Sequence, residues 1–340
     1  MKAVAYQRAC SIEEPNFLHD IELPDPILGD NDILVAVEAI SVNPVDTKVR
    51  ASTHAPLGQW KILGWDAAGR VVATGHHVNQ FKIGDAVWYA GDLTRQGTNA
   101  QLHAVDARLV SMMPKSLTFA EAAALPLTSI TAWEMLFDRL SVPTHLQAAS
   151  SASSLLIIGG AGGVGSVCIQ LAKALTPLTV IATASRPETQ QWVTILGADA
   201  CVNHHAPLPA QWAQQQLPAP QFVFSTNHSE DYVAAVAEIM QAQGRFGLID
   251  DPEALNINPF KSKSISTHWE FMYTRSMFHT ADMAKQGQLL QEVADLVDSG
   301  RIQTTLSNNL GAINAQNLMR AHTLIESGCT RGKIVLAGFD

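Results

Sequence analysis

The sequence predicts a two-unit α/β fold: a β-rich unit followed by a doubly wound parallel sheet. Three observations carry this. Up to about residue 125, short strand-like runs are cut by Gly and Pro at close intervals. From residue 154 onward, strand-like and helix-like runs alternate. Where the rhythm changes, "LLIIGGAGGVGSVCIQLAK" (155–173) places five glycines between an apolar strand and a helix. With 340 residues, 47% hydrophobic and 16% charged, the chain is long enough for two cored units.

The elements follow in order. "DILVAVEAI" (32–40), "GRVVATG" (69–75) and "IGDAVWYAGD" (83–92) read as strands and a turn-strand. "TFAEAAAL" (118–125) opens a helix with Thr118 and Glu121 spaced as a capping box. "TSITAWEMLFDRL" (128–140) continues in helical period, and the Ser-rich "AASSASS" (148–154) is a loop entering the sheet. "SLLII", "LTVIAT", "ADACVN", "FVFST" and "GRFGLID" then read as strands. The runs 164–175, 187–196 and 232–241 read as helices between them. Strands joined by crossover helices make a parallel sheet covered on both faces. The Pro- and Gln-rich segment 205–220 is a surface crossover. Two helical stretches (283–300 and 315–328) and a strand, "GKIVLAG" (332–338), close the chain.

Within the glycine run, Gly160, Gly162 and Gly165 satisfy G-x-G-x-x-G, with Gly163 and Val164 between them. After a strand and before a helix, this spacing is a dinucleotide fingerprint. It gives a tight turn, close backbone approach to a pyrophosphate, and close helix–strand packing. The next strand ends in "ATASRPET", so Ser185 and Arg186 stand where an NAD site carries an acid. A hydroxyl and a guanidinium suit a 2′-phosphate, which predicts NADP(H). The other reading makes Arg186 a solvated helix-start residue.

Charge and composition narrow the function classes. A net charge of −9 repels phosphate backbones and anionic lipid, so neither nucleic acid nor a membrane is expected as a partner. No run approaches the length of a membrane span, and the expectation is a cytoplasmic protein. The four cysteines are scattered without C-x-x-C spacing. Adjacent histidines, His76-His77 and His204-His205, make poor chelates on a strand.

The layout resembles the medium-chain dehydrogenase/reductase superfamily along the whole chain. "SVNPVDTKVR" (41–50), "ILGWDAAGRVVATG" (62–75), "GDAVW" (84–88), "ALPLTSITAWE" (124–134) and "RGKIVLAGF" (331–339) resemble its quinone oxidoreductase branch. With "HWEFMYTRSMF" (268–278), they are most similar to the zinc-type alcohol dehydrogenase-like proteins. The resemblance implies a GroES-like β-rich domain over 1–125, completed by 273–340, and a Rossmann domain over 126–272. It also implies pairing into a homodimer. Metal-using relatives carry a Cys in the segment matching "SVNPVD" and a Gly-His-Glu matching "LGWDAAG". Here no cysteine stands in the first segment, and Trp65 and Asp66 follow Gly64 in the second. Indole offers no lone pair to a metal, so no metal site is expected. Asp46 or Asp66 with His103 is the residual donor set.

Without a Lewis acid, alkoxide stabilisation is lost, whereas hydride donation to an enone or quinone needs only hydrogen-bond donors at the oxygen. The leading expectation is an NADPH-dependent, metal-independent reductase of a quinone or α,β-unsaturated carbonyl compound, with a small-molecule substrate. A zinc-dependent alcohol dehydrogenase and a non-catalytic NADPH-binding sensor or structural protein are the alternatives. By family position, Asn43 bonds to the nicotinamide or substrate. Lys48 is a proton donor or a surface strand lysine, and Asp46 orients Lys48 or a water. Trp65 is a wall of the substrate site or buried core. Thr128 stands beside the nicotinamide, caps a helix, or does both. His204 lies near the adenosine phosphate. Ser225 and Thr226 face the cofactor edge, and Ile249, within "LID", touches the nicotinamide through backbone groups. Lys333 approaches the cofactor or is a surface strand residue. The aromatic segment 268–278 lines the substrate pocket or the dimer seam.

Overall fold

The computed structural model describes residues 1–145 and 153–339. Residues 148–152 of the Ser-rich run lie outside them; Ser153 precedes a strand and Ser154 begins it. The chain forms two units: Met1–Ile130 with Tyr273–Asp340, and Thr131–Met272.

Strands β1 to β8 are Lys2–Tyr6, His19–Glu22, Asp32–Val42, Lys61–Ile62, Ala67–Thr74, Ala86–Tyr89, Leu102–Asp106 and Val110–Met112. Strands β9 to β14 are Ser154–Ile158, Thr179–Thr183, Ala200–Val202, Phe222–Ser225, Arg245–Leu248 and Ser266–Trp269. Leu306–Asn309 (β15) and Lys333–Ala337 (β16) complete the set.

The first unit is built on β3, an 11-residue strand. It pairs antiparallel with β5, β7 and β16, inside a sheet ordered β15-β16-β3-β5-β6-β8 with β7 on the side of β3. A smaller sheet runs β2-β1-β4. The end of the chain therefore lies next to β3. Directly after β3, the chain turns into the helix Pro44–Ser52. Asn43 is its extended N-cap, Pro44 supplies the preset φ of the first helical position, and the Asp46 carboxylate accepts the Asn43 N–H at 2.5 Å. This corrects the reading of Lys48 as a strand residue: it is an exposed helical one. Residues two apart on a helix do not face each other, so buried Asp46 does not orient Lys48.

In the second unit, six parallel strands run β11-β10-β9-β12-β13-β14. Strand order reverses between β9 and β12, which opens a crevice at their carboxyl ends. Every residue of β9 is buried, as expected of a central parallel strand covered on both faces. Leu156, Ile158, Ile181, Val223, Phe246 and Trp212 share one core cluster. Trp212 sits buried on a short helix, Leu208–Gln214, inside the segment read as a surface crossover. The helical run expected over 128–140 begins at Pro126 and changes to π-helix over Glu134–Arg139. The aromatic segment 268–278 divides: Met272 and Tyr273 are buried, while Trp269, Phe271 and Phe278 are exposed.

Candidate active site

The site residues fall in two groups, one in each unit. In the second unit, parallel strands bring their carboxyl ends to one edge. After β9 comes the glycine turn, after β10 Ser185 and Arg186, after β11 His204, after β12 Thr226, and after β13 Ile249.

The turn itself differs in one detail from the fingerprint reading. The glycine in left-handed backbone is Gly159, at φ +81°, and a Cβ there would lie 2.2 Å from Thr226 Oγ1. Gly160 is excluded from larger side chains by packing, with Ala182 Cβ only 2.7 Å away. Gly165 lies against the Gly159 carbonyl, which a Cβ would meet at 2.3 Å. Gly162 is different: the nearest atom to a Cβ is 3.5 Å away. The chain's own packing would therefore accept a side chain at Gly162, and what its absence leaves open is approach from outside. Gly162 caps the helix Gly163–Leu175, and partly exposed Gly163 and Val164 open its first turn. First-turn N–H groups with the helix dipole behind them form an anion site.

Arg186 caps the helix Pro187–Ile195, and its backbone N–H donates to Thr189 Oγ1. Its guanidinium pairs with Glu188 at 2.8 Å. Glu188, in the first turn of that helix, thus already pairs with the guanidinium of the predicted phosphate site. His204 stands on the neighbouring strand end. Burial, then His205 and Arg186, hold its imidazole below the ordinary range. Ser225 corrects the expectation of a cofactor-facing hydroxyl: it is fully buried, with its Oγ 2.8 Å from the Oγ of Ser229, which donates to Asp250. Thr226 donates to the Ile158 carbonyl at the rim of the glycine turn.

The first unit holds a buried charge cluster that the sequence reading missed as a unit. Asp66 is fully buried and accepts four hydrogen bonds. Leu127 N–H donates to Oδ1 at 2.7 Å; Ser41 Oγ, Asn43 Nδ2 and Lys333 Nζ donate to Oδ2 at 2.8, 2.8 and 3.0 Å. Lys333, on β16, is 3% exposed. Its ammonium also donates to the Val42 carbonyl at 3.1 Å and to Asn43 Oδ1. All three N–H groups are engaged. This corrects both readings of Lys333: it is neither a surface residue nor left with a donor for a cofactor. Asn43 is locked at both ends of its carboxamide, with one Nδ2 hydrogen remaining.

Asp46 is the second carboxyl of the cluster. Its Oδ2 takes the Asn43 N–H, and its Oδ1 is buried. Burial pushes it up to about 7, with Asp66 adding to the rise, while the Asn43 and Gly64 amides and Lys333 pull the other way. Trp65 is core: it is 1% exposed, donates Nε1–H to the Asp92 carbonyl, and meets Tyr273 edge-on at 6.3 Å. Thr128 is buried in the first turn of Pro126–Trp133 and donates to the Leu125 carbonyl, so it is not that helix's N-cap.

Zinc does not fit these residues. Trp65 presents a donor where a ligand is needed, and the Asp66 carboxylate is saturated by an amide, a hydroxyl, a carboxamide and an ammonium. His103, the third residual candidate, has both ring nitrogens committed, to Tyr89 Oη at 3.1 Å and the Gln96 carbonyl at 2.9 Å. Burial lowers its imidazole to about 4. Among the described residues, no three His, Cys, Asp or Glu side chains group as metal ligands.

Known proteins match this architecture. Residues 29–131 match the alcohol dehydrogenase GroES-like domain, and residues 196–336 match the zinc-binding dehydrogenase family. A zinc-type alcohol dehydrogenase-like protein of Staphylococcus aureus is 38% identical over 99% of both chains. The 2-methylene-furan-3-one reductase of Solanum lycopersicum is 29% identical, over 99% of this chain and 79% of that one. A solved structure from Rhizobium etli CFN 42, assigned to the zinc-dependent alcohol dehydrogenases, superposes with a TM-score of 0.96 at 55% identity, covering 100% of this chain and 98% of the other. With a GroES-like domain, a Rossmann-type parallel sheet and relatives along its whole length, the chain belongs to the medium-chain dehydrogenase/reductase superfamily of oxidoreductases, among the zinc-type alcohol dehydrogenase-like proteins.

Proposed function

We propose that this protein is an NADPH-dependent, metal-independent reductase of a quinone or an α,β-unsaturated carbonyl compound. The observation that carries the reading is the Asp66 cluster. The segment that would need metal donors presents Trp65, and the carboxylate beside it is neutralised by Lys333. An alkoxide has no cation to stabilise it there. A conjugated carbonyl asks for less, because the charge that follows hydride delivery spreads onto oxygen and needs only hydrogen bonds. The tomato relative's name agrees in kind, since a 2-methylene-furan-3-one is an α,β-unsaturated ketone.

The cofactor reading is supported by the open approach at Gly162 and by Ser185, Arg186 and His204 on adjacent strand ends. The first turn of Gly163–Leu175 would hold the pyrophosphate, and Arg186, now paired with Glu188, would hold a 2′-phosphate. When bound, the nicotinamide supplies the hydride. The chain's own part is to hold the dinucleotide and keep Asn43 rigid. Exposed Trp269, which ends edge strand β14, and exposed Phe271 just after it favour the homodimer seam over a pocket wall, which sedimentation velocity checks.

The test is acceptor-dependent oxidation of NADPH and NADH across quinones, enones and aldehydes, with metal content measured on the same sample. Turnover of enones or quinones with NADPH in metal-free protein is expected. Chelator-sensitive alcohol oxidation with stoichiometric zinc would overturn the proposal, as would cofactor binding without turnover of any acceptor.

A further inference from the structure

The surroundings of the Lys333 ammonium are all oxygen. Asp66 Oδ2, the Val42 carbonyl and Asn43 Oδ1 accept its three hydrogens, and Asp46 contributes a second carboxyl within its electrostatic reach. Asp46 is itself 1% exposed, so its carboxyl oxygens are out of solvent. Carboxylate, carboxamide and backbone oxygens are the ligand set of a hard cation, not of zinc.

We propose that Lys333 is a tethered internal cation, and that removing its ammonium converts Val42, Asn43, Asp46 and Asp66 into a binding site for a small free cation. Two carboxyl groups and one ammonium occupy the cage. Without the ammonium the cage is anionic, buried and lined with acceptors that have lost their donor. Such a site has two ways to settle: it takes up protons, or it takes up a cation small enough to enter. A short alkylammonium restores the lost geometry directly, and a divalent oxygen-seeking ion restores the charge. The proposal concerns the cage alone and holds whichever acceptor the enzyme reduces.

The experiment compares Lys333→Ala, which leaves space where the butylammonium chain lay, with Lys333→Met, which fills it. Thermal unfolding is followed in ethylammonium chloride, in magnesium chloride, and in choline chloride at matched ionic strength as the bulky control. Mn²⁺ binding is read by electron paramagnetic resonance. Lys333→Ala is expected to regain at least half of its lost Tm with ethylammonium or magnesium but not with choline, and to bind one Mn²⁺. Lys333→Met and the unmodified protein should do neither. If Lys333→Ala does not fold unaided, its refolding yield from urea replaces Tm, with the same cations and the same control. The double variant Lys333→Ala/Asp66→Asn, with the charge demand reduced, should fold without added cation and lose the cation response. The proposal is overturned if no cation restores Tm or yield to Lys333→Ala, if choline does so as well as ethylammonium, or if the unmodified protein already holds one Mn²⁺ or zinc at this site.

Discussion

The perturbation that interrogates the buried cluster most directly is Asp46→Asn. Burial raises the Asp46 carboxyl from 3.8 to about 7 in the folded protein. Between those values the native state holds a proton that the unfolded chain has released, so stability falls as pH rises through this window. At 1.36 kcal/mol per pH unit where the native group is protonated, the loss from pH 5 is about 2.3 kcal/mol by pH 7 and about 2.7 kcal/mol by pH 8.5. Asparagine is a neutral stand-in for the protonated acid and keeps an oxygen for the Asn43 N–H. Urea unfolding of both proteins at pH 5 and pH 8.5 isolates this group, because other carboxylates contribute equally to each and cancel in the difference. The two proteins should agree within about 1 kcal/mol at pH 5, and the variant should gain about 2–3 kcal/mol on the wild type by pH 8.5. A difference that does not change with pH, or one that favours the wild type at pH 8.5, would refute the assignment of a proton to Asp46.

Arg186→Glu should weaken NADPH binding by about tenfold or more while leaving NADH within about twofold, as fluorescence titration of both would show. Gly162→Ala should fold with stability within about 1 kcal/mol of the wild type but lose dinucleotide affinity. Gly165→Ala, pressed against the Gly159 carbonyl, should lose about 1–3 kcal/mol of stability; urea unfolding with a dinucleotide titration separates the two. Trp65→Ala removes a buried indole that packs edge-on against Tyr273, and should cost about 3–5 kcal/mol in chemical denaturation.

The parallel-sheet unit was legible because its signals are local. Strands β9, β10 and β12 are each an apolar run followed by a turn and a helical period, and G-x-G-x-x-G announces the first crossover. What local pattern does not encode is which glycine takes the left-handed backbone: with Gly159 and Gly160 adjacent, the choice falls to packing against Thr226 and Ala182. The β-rich unit was harder to read. Strands such as β2, β4 and β15 span two to four residues, too short for a period of two to show. The helix after β3 has a local signal of its own: Asn43-Pro44, with Asp46 at the third helical position, is an N-terminal signature. The Asp66–Lys333 pair is a contact across 267 positions, which no window sees. One signal was present, a lone acid in "LGWDAAG" and a lone base in "GKIVL", each in apolar company. Buried charges demand partners, so two such residues in one chain are candidates for each other.

The place of β16 in the first sheet has a consequence for biosynthesis. At translation speeds of roughly 5–20 residues per second, Asp66 waits about 13–53 s on the ribosome before its counter-ion exists. During that interval the nascent β-rich segment holds a carboxylate it cannot bury cheaply and a β3 edge without its neighbour. The unit encoded in the middle of the chain has all its strands much sooner. The gene order therefore favours the parallel-sheet half folding first, while the half encoded at both ends stays open to chaperones until its last strand emerges.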